Sequence, residues 1–121
     1  MAGQKFLVTQ LDPRRIRKIA LDTAEDEGFE IEDLDRWSFK LTRGSKGASI
    51  VVGALAEYCE FEMVVQKYDE ETTEVVIERN TPWWTGLIGV ARVKSAVNAL
   101  ANRMKDRMED CGGRIPREAE F

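Results

Sequence analysis

The spacing of apolar and polar positions changes several times along the chain, and each change marks an element. Phe6 to Leu11 reads as a short opening strand. Asp12-Pro13 then supplies a helix N-cap followed by proline at the first helical position. Ile16, Ile19, Ala20, Thr23 and Ala24 recur at helical spacing and predict one buried stripe. Gly28 supplies the stop, so residues 13–27 are expected to form a helix of about four turns.

The period then drops to two. Phe29 and Ile31 alternate with Glu30 and Glu32, and Trp37, Phe39 and Leu41 alternate with Ser38, Lys40 and Thr42. Gly44-Ser45-Lys46-Gly47 reads as a hairpin turn. Ile50, Val52 and Ala54 lead into Phe61, Met63 and Val65, with a break expected near Ala56-Glu57-Tyr58. Without that break the strand would far exceed the usual length of about 5–6 residues. Asp69-Glu70-Glu71 is the next turn, and Val75 and Ile77 then alternate with Glu74 and Glu78. The pattern predicts a meander of antiparallel strands, apolar on one face and polar on the other.

The helical period returns from Leu87 to Cys111. Val90, Val93, Val97, Leu100, Ala101, Met104, Met108 and Cys111 fall on one stripe, and Gly112-Gly113 ends it. Both helices need the apolar face of the sheet. The expected fold is therefore a two-layer α+β domain. An antiparallel meander of five to six strands curls around a long C-terminal helix, beside a shorter N-terminal helix. Residues 1–113 form that single domain, and residues 114–121 are expected to be a loose polar tail.

This order of elements resembles that of helix-grip domains of the START-like kind, in reduced form. It is also similar to small bacterial domains of unknown function in which a helix leads into a strand with a glycine-aromatic-x-Ile-x-x-x-Asp pattern. Here that strand reads Gly28-Phe29-Glu30-Ile31-Glu32-Asp33-Leu34-Asp35. The chain lacks the extra helical segment and the length of the full ligand-binding helix-grip proteins.

Composition narrows the classes. With 121 residues, 43% hydrophobic and 33% charged, the chain can bury one core without staples. Its net charge of -4 argues against general nucleic-acid binding, which needs many phosphate-neutralising cations. The chain has no histidine, which removes histidine bases and histidine metal ligands together. Cys59 and Cys111 form no CxxC and are expected to be free thiols, so neither a metal nor another cofactor is expected. No apolar stretch approaches the ~20 residues of a membrane span, and a cytoplasmic location is expected.

Four features are candidates for chemistry. Trp83, Trp84, Leu87 and Ile88 lie between Pro82 and Gly89, at the entry to the last helix. They are candidate contact residues for a protein, an apolar small molecule or a membrane surface. The competing expectation is that they close the core, and the adjacent tryptophans should split, one structural and one at the surface. Gly86-Leu87-Ile88-Gly89 matches the GxxG of KH domains only in form, because both intervening residues are apolar.

Arg14, Arg15, Arg17 and Lys18 open the first helix, while Asp22, Glu25, Asp26 and Glu27 close it. That order opposes the helix dipole and makes the basic four candidates for binding an anion. Lys94 borders the apolar stripe of the last helix. Glu60, Glu62, Glu74 and Glu78 fall on the polar sheet face, without the spacing of a metal loop.

The function expected is a non-enzymatic binding module for a protein or an apolar small molecule. The alternative is a carrier or enzyme with a site inside the sheet-helix grip, where Lys94, Tyr58 and Tyr68 are the nameable residues. A third route, homo-oligomer assembly, would use the sheet edges or the long helix. A packed interior would favour the module, and an internal pocket of several hundred Å³ would favour ligand chemistry.

Overall fold

The computed structural model describes residues 3–43, 59–79 and 90–120, with residues 59 and 90–94 described by their backbone alone. The chain runs β1 (Gly3–Thr9), α1 (Pro13–Asp26), β2 (Glu30–Asp35), β3 (Ser38–Arg43), β4 (Cys59–Lys67), β5 (Thr72–Arg79), α2 (Val90–Asp110) and β6 (Arg114–Glu120). The strands make one sheet in the order β2-β3-β4-β5-β1-β6, antiparallel at every pairing. This is the expected α+β class.

Alternation decides which face of the sheet is covered. Phe6 and Val8, Phe39 and Leu41, Phe61, Met63 and Val65, and Val75 and Ile77 form one buried face. Ile16, Ala20 and Ala24 of α1 pack against it, as do Val97, Leu100, Ala101, Met104 and Met108 of α2. Phe29 joins this core just before β2, with its ring centroid 5.8 Å from that of Phe61. The other face carries Lys40, Glu62 and Glu74 among half-exposed Leu7, Val64 and Val76. There Lys40 Nζ lies 3.5 Å from Glu60 and 3.7 Å from Glu32.

Both helices end in the same way. Gly28 has φ +89° and Gly112 has φ +95°, a left-handed conformation that costs a side chain energy. In each case the next residue reaches back across the last turn. Phe29 N–H donates to Ala24 O at 2.9 Å, and Gly113 N–H donates to Met108 O at 2.8 Å. A Cβ on Gly113 would sit 2.6 Å from Leu11 Cδ1 and 2.9 Å from Met108 O. Gly113→Ala should therefore destabilise the domain by about 1–3 kcal/mol, read by urea denaturation. An unchanged midpoint would show that this turn gives way freely.

The reversed charges of α1 have partners. Arg107 of α2 lies 2.6 Å from Asp26, and Arg103 lies 3.7 Å from Glu27. The acids at the end of α1 thus meet arginines of α2, which offsets their poor placement in the helix dipole.

Three expectations need correction. The segment after Gly113 is not a loose tail: it forms β6 on the outer side of β1. Its apolar contribution is Ile115, half-buried against the core, and its register with β1 shifts between Leu7 and Thr9. Cys111 is exposed rather than on the buried stripe, because helical geometry stops at Asp110 and Cys111 already belongs to the turn. Trp37 lies in the β2–β3 turn rather than in a strand, its N–H held by Asp35 Oδ1 at 2.8 Å. The expected turn at 44–47, the strand at 50–54 and the break at 56–58 lie outside the described residues.

Candidate binding groove

Antiparallel strands bring alternate turns to the same end of a sheet. Here the β1–α1 turn, the β2–β3 hairpin and the β4–β5 hairpin share one end. Thr9 stands opposite Thr72, whereas Ser38 stands opposite Val64, so β4 and β5 run on past the end of β3. The projecting hairpin and the two turns enclose a groove of about 1240 Å³.

Leu11 and Pro13 line it from the first turn, Trp37 from the second, and Val64 and Val65 from β4. Leu11 and Trp37 are half-buried and pack against the core, so the apolar lining continues the domain interior. The polar lining is acidic: Asp12, Asp35, Asp69, Glu70 and Glu71 stand against Lys67.

Three of these carboxylates are fixed by the backbone that follows them. Asp12 Oδ1 accepts from Arg14 N–H at 2.8 Å, Asp35 Oδ1 from Trp37 N–H at 2.8 Å, and Asp69 Oδ1 from Glu71 N–H at 2.9 Å. Each residue is the kind of turn-former that aspartate is, and each turn directs its carboxylate.

The Asp69 carboxyl is held below its ordinary value of 3.8, first by the Glu71 N–H and then by the Thr72 hydroxyl. A depressed folded-state value means that this group favours the folded hairpin above pH 3.8, and that the contribution is lost as pH falls through the lower folded value. An NMR titration should place the Asp69 midpoint below 3.8. A midpoint at or above that value would mean that the turn hydrogen bonds do not persist in solution.

The candidates chosen from sequence fall elsewhere or divide. Trp83, Trp84, Leu87, Ile88 and Tyr58 lie outside the described residues, as does the side chain of Lys94. Of the basic four, Arg17 is held inside the fold's own contacts. Its Nε donates to Arg36 O at 2.9 Å, and its guanidinium lies 4.9 Å from the Phe39 ring centroid. Lys18 pairs with Asp22 at 3.0 Å. Arg14 and Arg15 are exposed, outside the groove's lining, and make no side-chain ion pair among the described residues. Tyr68 is 54% exposed on the β4–β5 hairpin, away from the space between helices and sheet.

Sequence reasoning missed the groove. Its usable signal was the acid at each of three turns, together with the rule that alternate turns of a meander share an end. No protein-family model matches this chain, and no curated protein matches it.

Proposed function

We propose that the domain is a non-enzymatic binding module that holds a segment of a protein partner in this groove. The observation that carries the reading is the groove's make-up among the described residues: apolar Leu11, Pro13 and Trp37 together with carboxylates from three turns, and no cysteine. Its volume exceeds the ~300–1,000 Å³ usual for small-molecule sites, and it lies at the sheet end rather than within the grip. Among the described residues, Phe6, Phe39, Phe61, Met63 and Met104 are fully buried between sheet and helices, which supports the module over the carrier.

Two measurements on the full chain test this. Native mass spectrometry should give the mass of the bare polypeptide, and a stoichiometric apolar ligand that survives purification would favour the carrier. Selection from a random peptide library should return binders that Trp37→Ala weakens while the variant keeps its fold. Binders indifferent to Trp37 would remove the groove from consideration.

A further inference from the structure

Resting on that reading, we infer that the groove takes a short lysine- and arginine-rich segment of the partner protein. Among the described residues, five carboxylates and one ammonium line the groove; the exposed Arg36 stands beside Trp37, and Arg14 and Arg15 lie outside the lining. The carboxylates come from three separate turns, and apolar Leu11, Pro13 and Trp37 share the lining with them. Asp12 and Asp35 belong to two different walls, and Asp69, Glu70 and Glu71 to the third.

A lysine or arginine side chain matches both parts of this surface. Its methylenes can lie on Leu11, Pro13 and Trp37 while its charged head reaches the rim. Asp12 and Asp35 each spend one oxygen on a backbone N–H, which fixes the carboxylate before any ligand arrives. Little side-chain entropy is then lost on binding. The Arg36 guanidinium lies 5.9 Å from the Trp37 ring centroid, a contact of the kind that an incoming lysine or arginine would make with an indole. An acidic or phosphorylated segment would meet like charge on all three walls.

The test is a random peptide library selected against the full chain, followed by affinity measurement of the selected peptides. They should be enriched in Lys and Arg. Asp35→Asn/Glu70→Gln/Glu71→Gln, which leaves the Asp35 turn chemistry to asparagine, should weaken them about tenfold or more. Glu30→Gln/Asp106→Asn/Glu109→Gln removes the same charge elsewhere on the surface and should change affinity by less than about twofold. Circular dichroism melting checks that both variants fold.

Basic peptides weakened equally by both triple variants would overturn the inference as mere long-range attraction. Groove-dependent peptides without basic enrichment would overturn it and leave the binding reading standing. A library that yields no groove-dependent peptide would overturn both. A dimer at low salt that Arg14→Glu/Arg15→Glu dissolves would make the occupant a second copy of this chain, and would also overturn it.

Discussion

Met104→Asp will leave the chain unable to fold, whereas Met104→Ala will fold and lose about 2–5 kcal/mol. Met104 is fully buried on α2 between Leu100 and Met108, which are also buried. The alanine variant loses the contacts of a long side chain and leaves a cavity that close-packed neighbours fill only in part. The aspartate variant replaces a long apolar side chain with a carboxyl that has no partner among the described core side chains and must be buried bare or protonated, a cost comparable to the marginal stability of a domain. Soluble expression and urea denaturation check both outcomes. A soluble aspartate variant with an unchanged midpoint would mean that this face of α2 is not in the core.

A chain ended after Gly113 will be less stable than the full chain by about 2–4 kcal/mol. The ladder to β1 disappears with β6, and side-chain contacts go with it. Ile115 no longer covers the core edge, and Lys105 loses Glu118, whose Oε2 accepts from its ammonium at 2.6 Å. Lys105 is 8% exposed in the full chain, so its ammonium loses a close carboxylate partner that part-buried surroundings do not replace. Lys105→Met in the shortened chain should recover part of the loss, because it removes the stranded charge and keeps the volume. Thermal melting of the full, shortened and shortened Lys105→Met chains decides the matter. Equal melting of the first two would make β6 an ornament of the sheet.

Much of the architecture was legible in the sequence because local and tertiary preferences agree there. Asp12 caps α1 through its own side chain, Pro13 opens it, and Gly28 closes it with the conformation only glycine adopts cheaply. The stripe from Val97 to Met108 and the alternation in β3, β4 and β5 each bury one face, and burial enforces the period. β6 escaped notice because an edge strand outside the core has little to bury. Its sequence Arg114-Ile115-Pro116-Arg117-Glu118-Ala119-Glu120 contains one large apolar residue, and its proline argues against a strand except at an edge.

The groove was illegible for a different reason. Asp12, Asp35 and Asp69 each have a sufficient local explanation as turn residues, and nothing in the chain says that their turns meet. That fact belongs to the strand order, which sets β1 beside β5. The charges of α1 were legible as unusual but not as resolved, since their partners Arg103 and Arg107 lie far along the chain. The tryptophan pair at 83 and 84 lies outside the described residues, so its expected division stays a proposal.

The place of β1 has a consequence for how the domain is made. The strand β1, synthesised before all the others of this sheet, pairs with Thr72–Glu78 on one side and with Arg114–Glu120 on the other. While α1 and the β2–β3 hairpin emerge, β1 therefore has neither neighbour. At a synthesis rate of about 5–20 residues per second it waits several seconds for the first and longer for the second. Phe6 and Val8, buried in the finished domain, are uncovered or wrongly covered throughout that interval. The central sheet pairing is thus a late and distant event, of the kind that slows folding. Aggregation of nascent chains should be most severe for lengths that stop short of α2, which covers the apolar face of the sheet, and chains that have released residue 110 should be the first to resist protease.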